Sequence, residues 1–223
     1  MMERSDDGII LCQPDNGKGC SLCCGLFNFR DITHASLTQF LEDGAAREKG
    51  LTTYNDFQTP HGIRDEHSHI CPYQGFLSAG KPGCLIHPLS SGRDGRERSL
   101  FASKICEKFF CPAHTFLSVE EKLFLTENVK HWLLYSIAIA DPESFSFIYN
   151  YVKDNFADSG IAGVLVNEGL AAHAENLASC TGVIFSYSIP EYNINKMNFG
   201  LKHINKSRDH VVSRIIKYVE EIG

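Results

Sequence analysis

The chain has 223 residues, 43% of them hydrophobic and 22% charged, with a formal charge of −6 and a pI near 5.9. This is globular composition, which argues against disorder, and the acidic balance argues against a protein that grips nucleic acid through a basic face. The start, Met1 to Asp7, is polar and acidic rather than basic-then-apolar like a secretory signal, and the apolar run around Trp132 to Ala140 is about half the ~20 residues that span a bilayer. The expected setting is therefore the cytoplasm, with no membrane partner.

In chain order, Gly8 to Leu11 is a short apolar run into Cys12, and Gln13 to Gly19 is polar and turn-rich. Gly25 to Phe29 alternates as a short strand does, and Asp31 is placed to cap a helix to about Lys49, striped by Leu37, Phe40 and Leu41. From Gly50 to Glu66 the periodicity fades into loop. A Gly/Pro-rich, hairpin-like stretch from Ser78 to Gly83 separates Cys71-Pro72 from Cys84-Leu85-Ile86, and Gly92 to Arg98 reads as a solvated charged turn. Ser99 to Phe110 has helical spacing.

Beyond Phe116 the pattern becomes helical. Ser118 with Glu121 forms a capping box ahead of a helix to about Ala140, and Asp141-Pro142 starts another to about Asn155. Further helices are expected at Gly163 to Ser179 and Ser207 to Ile222, the latter burying Val211, Val212, Ile215, Ile216 and Val219. Ile184 to Ile189 reads as a strand or an extended connector. The fold class expected is α+β, mainly α, with an irregular cysteine-rich half (8–115) packed with a helical half (116–223) as one unit.

Nine cysteines stand at 12, 20, 23, 24, 71, 84, 106, 111 and 180, eight of them in the first 111 residues. A reducing compartment disfavours disulfides, and a vicinal pair such as Cys23-Cys24 closes on itself only with strain. Metal ligation therefore leads over a disulfide framework or buried and redox-active thiols. The candidate ligands are Cys12, Cys20, Cys23, Cys24, Cys71, Cys84, Cys106 and Cys111. His67 and His69 read as exposed neighbours of Cys71, or as ligands if that segment is extended. His87 reads as a turn histidine, or as a ligand through its C-x2-H spacing from Cys84. Cys180, far from other thiols, reads as a buried small residue.

Cys20-Ser21-Leu22-Cys23-Cys24, Cys71-Pro72 and Cys84-Leu85-Ile86 together resemble the YkgJ-like family of zinc- or iron-chelating domains, over Cys12 to about His114. The family's first cysteine falls at Gly17, Ser21 replaces its usual glycine, and Cys106 or Cys111 stands in for the cysteine of its later Arg-Pro-x-x-Cys. The resemblance implies metal chelation. Some similar proteins are linked to methyl transfer on protein lysines with an iron-sulfur centre.

All-thiolate ligation selects zinc, Cu(I) or iron-sulfur over magnesium, calcium or manganese. Eight thiols suit two four-coordinate zinc sites, one cluster with spare ligands, or one of each. Zinc is narrowly favoured over iron, because turn-based thiol pairs suit tetrahedral closure and no substrate motif calls for a redox centre. The C-x3-C-x2-C loop of radical-SAM enzymes is absent, since Asn16 stands four before Cys20. The expected function is metal handling or an interaction module, with a metal ion and a protein as partners. The alternative is an iron-sulfur enzyme that transfers methyl groups to protein lysines.

Overall fold

Helices dominate the chain, and a two-stranded antiparallel sheet accompanies them, so the class is α+β, mainly α. The computed structural model describes residues 7–14, 17–52, 57, 62–63, 70–99, 111–156, 160–179 and 201–222, with side chains of the last stretch from 207 onward. Cys106, Cys180, His67, His69 and Ile184 to Ile189 lie outside the described residues, as does all but the first residue of the helix expected from Ser99 to Phe110.

The strand expected at Gly25 to Phe29 is replaced by two 3-10 turns, Leu22–Cys24 and Leu26–Asn28. Gly25 joins them at φ +78°, a left-handed conformation that favours glycine. Leu26, Phe27 and Asn28 are all buried, so the alternation of faces that a strand needs is missing; Phe29 alone bridges to Ile63.

Helix α1, His34–Glu42, is capped by Thr33, whose hydroxyl accepts from the Ser36 N–H, and not by Asp31. Asp31 instead accepts from the Thr33 N–H at 2.9 Å. The chain bends at Asp43 and continues as α2, Gly44–Gly50. Strands β1, Gln74–Ser78, and β2, Lys81–Cys84, form a hairpin that sets Cys84 opposite Gln74 and packs beside α1 and α2. A single turn, α3, Pro88–Ser91, follows. In the charged turn Arg98 pairs with Glu48 at 2.6 Å, tying it to α2.

The helical half begins with α4, Ala113–Phe116, and α5, Val119–Asn128, which carries the expected Ser118/Glu121 capping box. The single helix expected to Ala140 is two, because α5 ends at Asn128 and α6 starts at Trp132 and runs to Ala140. At the break the buried Lys18 ammonium donates to the carbonyls of Leu125 (3.4 Å), Thr126 and Val129 (2.6 Å), a cation that stabilises the carbonyl end of α5. Burial, and then Lys130, lower the Lys18 pKa to about 8, with Glu127 opposing.

Helix α7, Pro142–Phe156, starts as expected: the Ser144 N–H donates to Asp141 Oδ1 at 3.2 Å. Helices α8, Ala162–Ser179, and α9, Leu201–Ile222, complete the bundle. Its core meets at Phe145, Ile148 and Val152 of α7, Leu165 and Leu170 of α8, and Val211 and Ile215 of α9. Ile216, expected in that face, is 41% exposed, and Val212 and Val219 are half-buried; the stripe of α9 is narrower than the run of aliphatics suggested. A buried polar staple crosses this core: His173 Nε2 meets Asp141 Oδ2 at 3.0 Å and its Nδ1 meets Ser207 Oγ at 2.8 Å.

One continuous apolar cluster runs from Leu11, Leu26 and Phe27 through to Ile215, so the core crosses the residue 115/116 boundary. Tyr135 reinforces the crossing by donating its hydroxyl to the Leu11 carbonyl at 2.7 Å. Cys71, Tyr73 and Ile86 form a second, small cluster. Among the described residues no helix is long and apolar enough to cross a membrane.

Candidate metal centre

Backbone hydrogen bonds assemble the thiols. The Cys20 N–H donates to the Cys12 carbonyl at 3.0 Å, closing the turn-rich loop so that these two cysteines adjoin. Gly19 lets that loop lie against β2, where a Cβ would overlap the Pro82 carbonyl oxygen, and Gln13 Nε2 donates to the same oxygen at 3.0 Å. The 3-10 turn then carries Cys23 and Cys24, with the Leu22 N–H donating to Cys20 Sγ at 3.4 Å.

Cys71 arrives through its own N–H, which donates to the Cys24 carbonyl at 2.7 Å. Gln74, fully buried, clamps the junction: its Nε2 donates to the carbonyls of Cys24 (3.1 Å) and Cys71 (2.9 Å). The hairpin register brings Cys84 to Gln74, and Cys24 and Cys84 both pack on the small cluster of Cys71, Tyr73 and Ile86. Arg47 holds this corner from below. Its guanidinium donates to the carbonyls of Pro72, Phe40 and Gln74 at 2.7 to 2.9 Å and lies 3.7 Å over the Phe40 ring.

Cys111 enters from just before α4, buried in the main core with its thiol 3.8 Å from the Ile139 carbonyl. Three residues on, His114 Nε2 stands 3.7 Å from Cys12 Sγ. Burial, and then Lys122, lower the His114 pKa to about 4 against the pull of Asp7, so this imidazole is neutral at physiological pH.

The electrostatics oppose thiolate charge at Cys12, Cys20, Cys24 and Cys111. Desolvation of its sulfur, and then Cys23, push Cys12 up to about 12, although the residue as a whole is exposed; desolvation also raises Cys20 and Cys111, with neighbouring thiols adding to it. Cys24, hydrogen-bonded to Cys23 and Cys71, is also raised. Cys23 is the exception. The Cys24 side chain and the backbone N–H groups of Cys23 and Cys24 outweigh burial and lower it.

Seven of the eight candidate ligands are described, all as thiols: Cys12 and Cys23 exposed, Cys71 and Cys111 buried, Cys20, Cys24 and Cys84 between. They fall into two neighbourhoods, Cys12, Cys20, Cys23 and Cys111 on one side and Cys24, Cys71 and Cys84 on the other, joined at the vicinal pair. Among the described residues, no three His, Cys, Asp or Glu side chains are already disposed to hold one ion. His114, Arg47, Gln74 and Lys18 join the site without standing among the candidate ligands of the sequence. Only His114 left a signal, three residues beyond Cys111; the others act through carbonyls, which no motif marks.

His87 serves differently. Its Nδ1 accepts from the Leu89 N–H at 3.2 Å as the cap of α3, which places the proton of the neutral ring on Nε2 and leaves neither nitrogen a lone pair for a metal. A groove of about 580 Å³ on the helical half, lined by Phe116, Phe147, Tyr151, Asp154 and Arg208 among others, carries no cysteine. No family model, no curated protein and no solved structure matches this chain.

Proposed function

We propose that this protein binds a thiophilic metal, zinc or iron, through Cys12, Cys20, Cys23, Cys24, Cys71, Cys84 and Cys111, and works as a metal-handling or interaction module of the cytoplasm. The observation that carries the reading is the convergence of seven thiols from four separate stretches of chain onto the turns around Cys20 to Cys24. Thiols brought together where burial opposes their ionisation gain most from a cation, because the ion repays the desolvation of several thiolates at once. Soft sulfur donors match zinc and iron, and the neutral His114 imidazole is a compatible neighbour. A bound ion would supply a cross-link between these chain stretches in addition to the apolar core they share.

Since among the described residues no three side chains are already disposed to hold one ion, loading requires the sulfurs to move. Rotation about χ1 moves a cysteine sulfur by more than an ångström without moving the backbone. A second reading, an iron-sulfur enzyme acting on protein lysines, draws its support from the exposure of Cys12 and Cys23, which leaves one edge of the thiol group accessible.

Elemental analysis and a visible spectrum of protein purified without oxygen decide between these. Colourless protein with zinc and without iron supports the structural ion. Brown protein with iron and acid-labile sulfide favours the cluster, and metal-free protein that resists loading refutes both.

A further inference from the structure

We propose that Cys23, Cys24 and Cys71 form a thiol relay: Cys23 takes a mixed disulfide from a small disulfide of the glutathione class, and exchange through Cys24 ends in a Cys24–Cys71 disulfide. The relay belongs to the thiols themselves and needs no bound metal. Their side chains form a chain of contacts, with Cys24 hydrogen-bonded to Cys23 on one side and to Cys71 on the other. Accessibility falls along that chain, from exposed Cys23 through half-buried Cys24 to Cys71, which is 4% exposed.

The backbone sets the end point. The Cys71 N–H donates to the Cys24 carbonyl at 2.7 Å, and with ordinary covalent dimensions that bond keeps the two Cα atoms within about 6.6 Å of each other. Disulfides span Cα separations of about 4.4–6.8 Å, so Cys24 and Cys71 stand within bridging reach. Gln74 Nε2 donates to the carbonyls of both, and Cys24 packs on the small cluster that contains Cys71, so the pair is held in place from two sides. Cys23 and Cys24, adjacent in sequence, close on each other only with strain, which makes a bond between them a carrier rather than an end point.

Each step is a thiol–disulfide exchange, in which the proton of the attacking thiol ends on the leaving sulfur. Cys23 attacks the small disulfide, forming the mixed disulfide and releasing one small thiol. Cys24 attacks the Cys23 sulfur, forming the vicinal disulfide and releasing the second. Cys71 then attacks the Cys24 sulfur, forming Cys24–Cys71 and returning Cys23 to a thiol. Two protein thiols are oxidised, and one small disulfide is reduced to two thiols. The final bond ties the 3-10 turn to the segment that enters the hairpin and takes two sulfurs out of the set proposed for metal. In a reducing compartment such a bond is transient and marks a rise in small disulfides.

Reduced full chain, purified without oxygen, is treated with glutathione disulfide and alkylated at intervals, and fragmentation mass spectrometry assigns the state of each sulfur. Glutathione is expected on Cys23 first, followed by a Cys24–Cys71 cross-link with Cys23 again alkylatable. Cys71→Ser is expected to stop at glutathione-bearing Cys23 or the vicinal disulfide, and Cys23→Ser to form the cross-link several-fold more slowly. Far-UV circular dichroism checks that each variant retains its helices, and the order of products in the unaltered chain carries the result should a variant fail to fold. Cys24 and Cys71 that stay alkylatable, or that join other cysteines, would overturn the relay, and an unslowed Cys23→Ser would overturn the place of Cys23 as its entry. Metal content followed alongside separates this from the proposed function: cross-linking with all metal retained refutes Cys24 and Cys71 as ligands and leaves the relay standing.

Discussion

The two ends of the molecule are stabilised by different physics. From α5 onward the chain is organised by apolar stripes, where each buried Leu, Ile, Val or Phe contributes roughly 1.5–3 kcal/mol and helix periodicity brings those residues together. Between Cys12 and Cys84 Leu26, Phe27, Leu37 and Phe40 join the same core, but the connecting loops and the hairpin corner are held in addition by side chains that reach for carbonyls (Gln74, Arg47, Lys18, Gln13). The second cluster has just three buried members, Cys71, Tyr73 and Ile86. The hairpin corner is specified largely by polar geometry, and on the proposed function its stability would follow the metal.

Removing metal should break that balance most. Chelation is expected to make the chain cleavable by limited proteolysis between Gly50 and Gly95 while the helical half from α5 onward survives as a resistant fragment. Equal resistance with and without chelator would mean that the hairpin corner stands on Arg47 and Gln74 alone.

On the helical side the largest single effect belongs to the buried staple. Asp141→Ala strands His173 Nε2 and the Ser144 hydroxyl, and each buried polar group left without a partner costs about 1–3 kcal/mol. The staple also sets a pH dependence. Burial by itself would raise the Asp141 carboxyl, but hydrogen bonds from His173 and Ser144 hold it below its ordinary value. A depressed carboxyl stabilises the fold above its unfolded pKa and loses that contribution as pH falls through the folded one. Urea midpoints should therefore decline on the acid side in the native chain and decline less in Asp141→Asn.

How much of this was legible in the residues follows the same divide. The capping box at Ser118, the start of α7 at Asp141 and the extents of α7 and α8 could be read because they depend on local spacing. The split of α5 from α6 could not, since the cation that satisfies the carbonyls at the break is Lys18, more than a hundred residues earlier. The strand expected at Gly25 to Phe29 failed for a related reason: burial on every side overrode an alternating pattern. In the thiol region the sequence supplied the candidate ligands but not their grouping, which depends on the Cys71 N–H finding the Cys24 carbonyl and on the hairpin register.

Lys18 makes a sharper test, because it belongs to the cysteine-rich stretch and yet completes a helix of the other half. Lys18→Met keeps most of the apolar stem and removes the donors that satisfy three carbonyls, for an expected loss of about 2 kcal/mol by thermal or urea unfolding. The unfolding should remain a single transition. Two separate transitions in this variant would show that Lys18 had coupled the halves.

The smallest effect serves as the control for the whole comparison. Ser118→Ala removes the hydroxyl that accepts from the Glu121 N–H at 3.2 Å, while the Glu121 carboxylate keeps its bonds to the Ser118 N–H at 2.8 Å and to Ser146. Half of the capping box is lost, so the expected cost is about 1 kcal/mol, the ordinary value for an N-cap serine. This cap stabilises α5 locally and touches no cysteine, so the metal content and the rate of thiol alkylation of the folded protein should equal those of the unaltered chain. Faster alkylation of Cys12 or Cys23 in Ser118→Ala would show that strain in α5 passes through its carbonyl end to Lys18 and the loop beyond, making the two regions one cooperative unit.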